Sequence, residues 1–582
     1  MGYECGMKKE WTILQADPGD VEKVRSFLGC SPLLAAIMVN RNIISESEIR
    51  NFRDFSLAGI RPPFAMQDMD KAVKRIAAAL REREKILIFG DYDVDGVTAT
   101  TLLLEFLQYA GADVSYYIPH RTKEGYDIQT DHIYAYALPA ETDLIITVDC
   151  GSGRHDAVKA AKDSGIDMII TDHHSIRRPP PALAVVNPRR ADCPSGYGHL
   201  AGVGVVFALL ICLRKYLREQ GFWTSRKEPN LKYFCDLVAL GTIADMVPLL
   251  DENRVLARTG IDLIRKGGRP GIRALARISG MKDRAPDADD IAFRLAPRLN
   301  AAGRLDHARF AVELLRTRNH KRAEALALHL NYLNKKRQNT EKGITEQILA
   351  DLEKKPEQMG ENSLVLSHSR WHEGVLGIVA AKLVKHFCRP VILIAVRGGM
   401  GKGSGRSIPA INIYEALRAC AGHLDKFGGH PMAAGLRISE KCIEKFRKDF
   451  DKAVALQRGQ QDFSGTVLID SELDFDRITE EFLDELDSLQ PFGEGNPEPL
   501  FMARNVLVNS SSVFLGKHRR MMLYQSHGEE KKPDSLRSPV IEAVQFHIDP
   551  RCLPTRFDRL AYRVRRNQWN GHKKIQIIIE ES

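Results

Sequence analysis

Continuous apolar runs in the first half of the chain alternate with segments of helical character. Three of these runs lie at residues 86–89, 144–148 and 168–170. Runs that are apolar at nearly every position, rather than at every second position, are typical of strands buried on both faces of a parallel sheet. Because helical patterns fill the intervals from residue 76 to residue 265, we expect a doubly wound parallel-sheet α/β domain there.

A second, smaller α/β pattern lies at residues 359–460. Strands are predicted at 364–367 and 390–395, with a helix at 375–386 between them. Residues 266–358 precede this lobe, and from residue 308 to residue 353 they are rich in Ala, Leu, Glu, Lys and Arg with few helix breakers. This composition predicts a connector of long helices between the two α/β lobes.

The two ends of the chain carry different patterns. Residues 1–75 are predicted to be helical, with Ser45 and Glu48 at the spacing of a capping box. Residues 461–582 contain short apolar runs bounded by turn residues, which predict an OB-like β barrel. The predicted barrel strands include residues 466–469, 540–546 and 574–579, and the polar residues 527–539 are expected to form an exposed loop.

Length and charge limit the possible partners. A chain of 582 residues, at roughly 100 to 200 residues per domain, holds about three to five domains. The net charge of +9 suits an anionic partner, although a solvated surface explains it equally well. Residues 517–582 contain 14 Lys and Arg against 8 Asp and Glu, an excess of 6 positive charges. Five aromatic residues interleave with these charges: Tyr524, Phe546, Phe557, Tyr562 and Trp569. A mixture of basic and aromatic residues favours binding of single-stranded nucleic acid.

Cysteine usage and hydropathy indicate the compartment. The ten cysteines are widely spaced and form no CxxC pair, so we expect neither a zinc ribbon nor a disulfide framework. The first residues lack the apolar core of a signal peptide, and the longest apolar run, residues 201–213, is shorter than the roughly 20 residues that span a bilayer. The sequence therefore predicts a cytoplasmic protein that does not bind a membrane.

Acidic and histidine residues follow the predicted strands of the first lobe. They are Asp91, Asp93 and Asp95 after the first strand, Asp149 after the second, His173 and His174 after the third, and Asp245 in a further acidic segment. Alternate positions on an extended segment share a face, so the first three carboxylates would crowd together. Such crowding is tolerable where cations lie between the carboxylates. Functional sites in doubly wound sheets form at the carboxyl ends of the strands, where these residues lie.

The types of ligand narrow the choice of metal. Each acidic segment alone is explained as well by turn-forming or solvated acids, but four segments that reach one sheet edge predict a metal site. Mixed carboxylate and imidazole ligands suit Mn²⁺, and carboxylate with water suits Mg²⁺. Zinc is also compatible with ligands of these types. We expect divalent cations, Mn²⁺ or Mg²⁺, at this edge of the sheet.

These segments resemble the motifs of a known superfamily. Residues 90–96, 148–151, 171–174 and 244–248 look like the motifs of the DHH phosphoesterases, which are named for a triplet that is Asp172, His173 and His174 here. Over nearly the whole chain the sequence resembles the RecJ family of bacterial single-strand-specific exonucleases. The segments that carry this closer resemblance are residues 187–207, 297–304, 402–417, 427–435 and 491–499.

The resemblance implies a site for two divalent cations. Asp91 and Asp93 would hold one cation, and Asp149 would bridge the two. Asp95, His173 and Asp245 would hold the other cation. Asp91 stands where many relatives carry histidine, so the protein ligands of the first cation would all be oxygen atoms.

The resemblance also implies how a substrate is held. Ser404 and Arg406 would grip a terminal phosphate, Arg304 and Arg121 would contact the nucleic-acid backbone, and His430 would reach the cleavage site from the second lobe. His174 has two interpretations, since it either braces its loop or donates a hydrogen bond to the scissile phosphate, which the resemblance favours. Because metal chemistry requires no cysteine nucleophile, Cys150 is expected to be a packed strand-end residue.

The function implied is a two-metal exonuclease that degrades single-stranded DNA from 5′ to 3′ in recombination and repair. A single-strand-binding protein and repair helicases are partners implied by the resemblance alone. The chain has no GxxxxGK[ST] sequence, so we expect no ATP-driven activity. The alternatives are a DHH-type phosphodiesterase for short oligonucleotides or cyclic dinucleotides, and a non-catalytic DNA-binding scaffold. The basic C-terminal segment argues against the former, and the complete set of expected ligands argues against the latter.

Overall fold

The computed structural model describes residues 10–281, 286–355, 362–459, 466–526, 538–551, 553–569 and 572–582. Its N-terminal part contains one strand and three helices: β1 (Glu10–Ile13), α1 (Pro18–Leu28), α2 (Pro32–Asn40) and α3 (Glu46–Arg53). Side chains of Asp17, Ser31 and Ser45 accept hydrogen bonds from the first turn of the three helices. The predicted capping box of Ser45 and Glu48 is confirmed, whereas β1 was not predicted.

The first α/β lobe is a doubly wound parallel sheet, as predicted. Its elements are α4 (Met69–Glu82), β2 (Lys85–Gly90), α5 (Val94–Ala110), β3 (Asp113–Tyr117), α6 (Thr130–His132), β4 (Leu144–Val148), α7 (His155–Asp163), β5 (Asp167–Thr171), β6 (Ala184–Val186), α8 (Gly202–Glu219), α9 (Cys235–Ala244) and α10 (Asp251–Arg265). All strands run parallel in the order β3-β2-β4-β5-β6. The strand order reverses between β2 and β4, and ligands bind at such a switch point.

Helix α8 contains the longest apolar run of the sequence. It packs against α4 and α5, and most of its residues are buried in the core of the first lobe. Its apolar character is therefore explained by packing within the lobe. Among the residues that the structure describes, no helix combines the length and apolarity needed to cross a bilayer.

Helices connect the two lobes, as predicted. They are α11 (Pro270–Ile278), α12 (Ala288–Asp290), α13 (Ala296–Leu305), α14 (Arg309–Arg316) and α15 (His320–Glu353). Helix α15 has 34 residues, which at 1.5 Å per residue is a rod of roughly 50 Å. Ala327 and Leu330 in its first half belong to the core of the first lobe. Ile348 and Leu352 in its last turns belong to a core of the second lobe, so one helix ties both lobes together.

The second lobe is a mixed five-stranded sheet with helices. Its elements are β7 (Leu364–His368), α16 (Leu376–Phe387), β8 (Val391–Arg397), β9 (Met400–Arg406), α17 (Ile413–Ala419), β10 (Lys426–His430), β11 (Ala433–Ser439) and α18 (Ile443–Arg458). The strand order is β10-β11-β9-β8-β7, and only β7 and β8 pair in parallel among these neighbours. The two strands and the helix predicted between residues 364 and 395 are confirmed.

Glycines recur at alternate positions along strand β9. Gly401, Gly403 and Gly405 lie where a Cβ atom would come within 2.6, 2.8 and 2.6 Å of the side chains of Ile394, Leu436 and Ile413, respectively. These three glycines are therefore explained by tight packing beneath β9, while Ser404 and Arg406 alternate with them on the other face.

The C-terminal part is an OB-like barrel, as predicted. Its elements are β12 (Thr466–Ile469), β13 (Ser471–Glu472), α19 (Glu480–Ser488), β14 (Phe501–Phe514), β15 (His518–Gln525), β16 (Ile541–Phe546), β17 (Arg556–Trp569) and β18 (His572–Glu581). Five strands close in the order β14-β15-β16-β18-β17, with β17 returning to β14. The loop predicted at 527–539 lies almost entirely outside the described residues.

Two details of the predicted barrel are wrong. Residues 466–469 do form a strand, but β12 pairs in parallel with β1 rather than with a barrel strand. Phe557 and Tyr562 were expected to lie among the surface charges that meet nucleic acid, yet both are buried in the barrel core. Their position follows from the two-residue period of β17, which directs alternate side chains inward.

The two ends of the chain share one hydrophobic core. Ile37, Ile49 and Phe52 of the N-terminal helices are buried in the same cluster as Phe475 and Phe501 beside and within the barrel. Buried Arg254 of α10 joins this unit to the first lobe, because its guanidinium donates to the carbonyl oxygens of Phe52, Leu489 and Pro491. The N-terminal segment is thus a structural part of the C-terminal unit.

Candidate metal centre and substrate cleft

The acidic residues meet at the switch point of the parallel sheet. Asp91 directly follows β2, Asp149 directly follows β4, and Asp172 begins the loop after β5. Asp93 is the N-cap of α5, and Asp245 is the C-cap of α9. The sheet and two helix ends therefore deliver carboxylates to one place, because parallel strands end at the same edge.

All six residues predicted as metal ligands come together there. The Nε2 atom of His173 lies 3.2 Å from Asp149 Oδ1, 3.5 Å from Asp245 Oδ2 and 3.7 Å from Asp95 Oδ2. The six residues and His174 form three overlapping groups, and within each group the candidate ligand atoms lie within 4.8 Å of one another. The first group is Asp91, Asp93 and Asp149; the second is Asp95, His173 and Asp245; the third is Asp149, His173 and His174. Asp149 and His173 each belong to two of these groups. Asp149 therefore lies between Asp91 and Asp93 on one side and His173 on the other.

The protonation of the cluster reflects burial of like charges. Burial, followed by repulsion from Asp93, raises the pKa of Asp95 to about 7. Burial, followed by repulsion from Asp95, raises the pKa of Asp245 to about 9. Burial and neighbouring carboxylates also raise the pKa values of Asp91 and Asp149 well above their usual range. Buried carboxylates of this kind are costly to ionise unless positive charge compensates them.

Unpartnered buried atoms show that the donor set fits divalent cations. Asp91 Oδ1, Asp149 Oδ1 and both ring nitrogens of His173 have no hydrogen-bond partner among the described residues. Burial, with the neighbouring His174 next in importance, lowers the pKa of His173 to about 3, so its imidazole is neutral, as metal ligation requires. Carboxylate oxygens with one neutral imidazole match the preferences of Mn²⁺ and Mg²⁺.

Helix α8 orients two of the carboxylates. The backbone amides of Gly202 and Val203 donate to Asp95 Oδ2 and Oδ1 at 2.6 and 2.9 Å, which anchors this carboxylate at the helix N-terminus. A Cβ atom on Gly202 would lie 2.6 Å from Asp149 Oδ1, so only glycine leaves room for that carboxylate. Gly202 lies within a segment that carried the family resemblance, but its contact with Asp149 could not be inferred from sequence.

Asp149 itself adopts a left-handed backbone conformation. Its φ is +61°, which is uncommon for a residue other than glycine but more accessible to Asp and Asn. Cys150, the next residue, is buried and its thiol lies 3.7 Å from the carbonyl oxygen of Phe89. The expectation that Cys150 is a packed strand-end residue is confirmed.

His174 is held at the edge of the cluster by Asp172. The Nδ1 atom of His174 lies 2.8 Å from Asp172 Oδ1, while the side chain remains about half exposed. Burial lowers the pKa of His174, but the hydrogen bond and charge of Asp172 outweigh it and raise the pKa to about 9. His174 is therefore protonated at neutral pH, and its Nε2–H is directed away from the Asp172 bond.

Asp172 is a positioning residue that the sequence reasoning named only as part of a triplet. Its carboxylate accepts hydrogen bonds from the amides of Ser152, His173 and His174. Burial opposes ionisation, but these bonds and the two histidines bring the pKa of Asp172 below its usual range. The loop is thus braced by Asp172, which leaves His174 available for a different role.

Three arginines line the cleft without carboxylate partners. Arg121, Arg304 and Arg406 form no ion pair within the parts of the chain that the structure describes. Burial and then the charge of Arg121 lower the pKa of Arg304 to about 9, and the same two causes lower that of Arg406. Cations that repel one another in this way form a site for an anion.

Arg406 and Ser404 lie beside the N-terminus of α16. Arg406 Nη1 lies 3.3 Å from Ser404 Oγ, and a Cβ atom on Gly377 would lie 2.8 Å from Arg406 Nη2 and 3.0 Å from Ser404 Oγ. Gly377 therefore allows both side chains to approach the first turn of α16, where helix geometry favours anions. Arg304 joins this group by donating to the carbonyl oxygen of Gly374 at 3.3 Å.

His430 lies on β10 of the second lobe and is exposed. Partial desolvation of its ring, followed by the charges of Arg406 and His174, lowers the pKa of His430, so this residue is electrostatically coupled to both lobes. Among the described residues no hydrogen bond joins His430 to the acidic cluster. The structure therefore places it at the cleft but not in direct contact with the six predicted ligands.

Two tyrosines form part of the cleft and were missed by sequence reasoning. The ring of Tyr126 lies 6.1 Å from that of His174 and 6.2 Å from that of Tyr92 between centroids. The guanidinium carbon of Arg121 lies 4.9 Å from the centre of the Tyr92 ring, which holds this arginine by a cation–π contact. Tyr92 lies between Asp91 and Asp93 in the first acidic segment. This position next to predicted ligands was the sequence signal that could have identified Tyr92 as a cleft residue.

Comparisons with known proteins agree with this geometry. The chain matches the models of the DHH family N-terminal domain over residues 85–242, the DHHA1 domain over residues 360–456 and the RecJ OB domain over residues 469–581. The fold and the acidic cluster thus define a DHH-type phosphoesterase.

Curated relatives narrow the assignment. The single-stranded-DNA-specific exonuclease RecJ of Salmonella typhimurium is 37% identical over 94% of this chain and 95% of the relative, and that of Escherichia coli is 36% identical over 94% and 95%. The Bacillus subtilis RecJ is 34% identical over 99% of this chain and 71% of its own length. The chain belongs to the RecJ family.

Solved structures support the same conclusion. RecJ from Thermus thermophilus in complex with Mn²⁺ matches with a TM-score of 0.81 and 30% identity, covering 98% of this chain and 79% of that one. A manganese-bound exonuclease RecJ is 36% identical with a TM-score of 0.58, covering 67% of this chain and 95% of that one.

Proposed function

We propose that this protein is a metal-dependent exonuclease that degrades single-stranded DNA from 5′ to 3′ in recombination and repair. The observation that carries the proposal is the buried cluster of carboxylates and histidine that shares Asp149 at the switch point of the sheet. Membership of the RecJ family supplies the substrate class, since its curated members are named single-stranded-DNA-specific exonucleases.

The proposed ligands fall into two sets. Asp91 and Asp93 hold one divalent cation, and Asp95, His173 and Asp245 hold the other. Asp149 belongs to both sets, and the unpartnered Oδ1 atoms of Asp91 and Asp149 support this assignment. When bound, the two cations supply an activated water and neutralise charge on the leaving oxygen.

The proposed roles of the cleft residues follow from their charge. Protonated His174 donates from Nε2 to a non-bridging oxygen of the scissile phosphate, while Asp172 fixes the orientation of its ring. His430 approaches the same phosphate from the second lobe. These two imidazoles and Asp149 are the proposed catalytic side chains.

The proposed 5′ to 3′ direction rests on the resemblance to the RecJ family, and the cleft offers a place for the terminal phosphate. Ser404, Arg406 and the first turn of α16 form an anion site that suits a 5′-terminal phosphate. Arg121 is coupled by charge to Arg406 and to Asp91, and Arg304 is coupled to Arg121 and to Asp93. Both arginines are therefore proposed to hold the phosphates that follow. A strand held by its 5′ end presents the adjacent phosphodiester to the cluster.

The architecture supports selection for a single strand. We assign residues 1–75 to an N-terminal helical segment, 76–265 to the catalytic DHH lobe, 266–358 to the connector, 359–460 to the DHHA1 lobe and 461–582 to the OB-like domain. Helix α15 packs against both lobes and fixes the cleft between them. A single-strand-binding protein and repair helicases are proposed partners. A cytoplasmic location is also proposed, and it is supported by the described cysteines, which form no disulfide bond with one another.

End-labelled DNA tests this function. A long single strand labelled at its 5′ or 3′ end is digested with Mn²⁺, with Mg²⁺ or with chelator, beside the matching duplex. We expect metal-dependent release of the 5′ label in short products, with the duplex spared. Release from the 3′ end would contradict the polarity. If the long strand stays intact but dinucleotides are cut, the result favours the alternative of a phosphodiesterase for short substrates. If neither substrate is cut, the result favours a non-catalytic DNA-binding scaffold.

A further inference from the structure

Asn187 is a buried polar residue beside the metal cluster. It directly follows β6, the edge strand that pairs with β5, and it begins the segment 187–207 that carried part of the family resemblance. Its side chain is fully buried. A buried amide is costly unless its hydrogen bonds are satisfied, so the partners of Asn187 indicate what it supports.

The side-chain amide of Asn187 joins three loops. Its Nδ2 atom donates to Ser152 Oγ and to the main-chain carbonyl oxygen of His174, both at 2.9 Å. Its Oδ1 atom accepts from the backbone amide of Arg189 at 2.8 Å. A carbonyl oxygen only accepts and a backbone amide only donates, so these partners fix the orientation of the side-chain amide. Asn187 therefore links the loops that follow β4, β5 and β6.

These bonds complete a closed circuit that includes His174. The backbone amide of Ser152 donates to Asp172 Oδ2 at 3.1 Å. Asp172 Oδ1 accepts from the backbone amide of His174 at 3.1 Å and lies 2.8 Å from its ring Nδ1. The two bonds from Asn187, to Ser152 and to the His174 carbonyl oxygen, close the circuit. We call Asn187, Ser152 and Asp172 the His174 cradle.

The cradle is buried, whereas the residue that it holds is open to the cleft. All three cradle residues are buried, and the side chain of His174 is about half exposed. Buried polar groups that satisfy one another hold a single arrangement. A displacement of about 1 Å at a reacting group can reduce a rate by roughly 100-fold. The direction of His174 Nε2 therefore depends on how firmly its loop is held.

Asp172 and Asn187 hold different parts of His174. Asp172 binds the ring and the backbone amide, whereas Asn187 binds the backbone carbonyl oxygen. We propose that Asn187 is a positioning residue, which fixes the main chain of His174 so that Nε2 stays directed at the scissile phosphate. The proposal rests on the proposed function, which gives His174 that role. Asn187 acts on turnover, and not on binding of the strand or of the cations.

Kinetics of two Asn187 variants test the proposal. Asn187→Ala removes the whole amide, and Asn187→Asp keeps its size and its acceptor but removes both donors. With Mn²⁺ and a very short oligonucleotide, we expect kcat to fall roughly tenfold or more in each variant. KM should stay at the parental value, and so should the Mn²⁺ affinity measured by calorimetry without substrate. The thermal midpoint shows that each variant is folded.

A second buried asparagine provides the control. Asn496 lies in the C-terminal unit, is also fully buried, and donates from Nδ2 to the carbonyl oxygens of Leu489 and Pro491 at 2.8 Å each. Asn496→Ala thus removes a similar amide that does not contact His174. We expect it to keep the parental kcat on the very short oligonucleotide.

A double-mutant cycle with His174 separates positioning from a general defect. Asn187→Ala, His174→Ala and the double variant are compared in single turnovers with excess enzyme, so that slow cleavage is measurable. If Asn187 acts through His174, its loss changes nothing once the imidazole is absent. We therefore expect the double variant to cleave at the rate of His174→Ala alone.

Three results would overturn the positioning role. The first is a parental kcat in both Asn187 variants. The second is the same fold-loss with and without His174, which would indicate a general packing defect. The third is weaker Mn²⁺ binding that accounts for the lost turnover, which would assign Asn187 to the support of His173. A parent protein that cleaves no oligonucleotide would contradict the proposed function itself, and the positioning role would fall with it.

Discussion

Asp149 concentrates the chemistry of the site in one residue. It is shared between two groups of candidate ligands, it is buried, and its backbone is left-handed. The ligand residues could be predicted because most of them follow an apolar strand at close spacing. Asp172, Gly202 and Gly377 could not, since their roles depend on contacts with loops or side chains that the fold brings near. The sequence therefore predicts the candidate metal ligands better than it predicts the residues that position them.

Asp149→Asn should abolish cleavage and spare DNA binding. Asn keeps the size of the side chain and tolerates the left-handed backbone, but it removes the charge that the proposed bridge needs. Cleavage and binding of a labelled single strand provide the measurement, with Asp163→Asn at an exposed helix end as the control. A variant that cuts at the parental rate would show that Asp149 is not the bridging ligand.

Gly202→Ala should reduce cleavage strongly without unfolding the protein. The new Cβ would lie 2.6 Å from Asp149 Oδ1 and would displace that carboxylate. Gly343→Ala is the control, because no atom lies within 4 Å of a Cβ at that helical position. Specific activity and the thermal midpoint are measured together. Full activity in the Gly202 variant would contradict the proposed position of Asp149.

The stabilisation that Mn²⁺ gives should grow as pH rises from about 6 to about 9. Asp95 and Asp245 have pKa values raised from 3.8 to about 7 and about 9, so their contribution to stability is present below pH 3.8 and is lost as pH rises through these values. Bound cations compensate the charges that then develop. Thermal midpoints with Mn²⁺ and with chelator measure the difference. A difference that shrinks with rising pH would contradict the assigned ligands.

At the scale of elements, local pattern predicted the strands that carry the site. β2, β4 and β5 agree with their predicted runs because apolar positions are continuous there. The strands β9 to β11 were not predicted, since glycine is unfavourable in isolated strands and its role emerges only from packing against neighbouring side chains. The long connector helix was predicted from composition, but its contact with both lobes was not.

Glu341→Ala should loosen the connector from the second lobe. This buried carboxylate of α15 binds Arg337 at 2.9 Å and Lys382 of α16 at 3.0 Å. Removing it leaves the largely buried Arg337 without its partner, which we expect to cost about 3 kcal/mol of unfolding free energy. Chemical denaturation measures the loss, and Glu346→Ala on the exposed face is the control. Equal stability of both variants would contradict a structural role for Glu341.

At the scale of the whole molecule, the order of the parts could be predicted but not the union of the chain ends. Each part has its own local pattern, whereas the shared core joins residues such as Phe52 and Phe501 that are distant in sequence. An amphipathic helix indicates that its apolar face is covered, but not by which segment. The N-terminal helices were therefore interpreted as auxiliary, although they complete the core of the C-terminal unit.

Deleting residues 1–53 should destabilise the C-terminal unit although these residues carry no predicted chemistry. The deletion exposes the apolar residues that α1 to α3 cover, which an apolar dye and the thermal midpoint report.

A chain of residues 54–459 lacks both halves of the shared core, so we expect it to hydrolyse very short oligonucleotides while binding long strands weakly. Undiminished affinity of this shortened chain for long strands would contradict a separate binding barrel.

We expect two divalent cations to bind at the cluster around Asp149. Anomalous diffraction from crystals of this protein grown with Mn²⁺ locates them. Two peaks are expected, one beside Asp91 and Asp93 and the other beside Asp95, His173 and Asp245, with Asp149 in contact with both. A single peak, or peaks that Asp149 does not contact, would show that the proposed two-metal site is wrong.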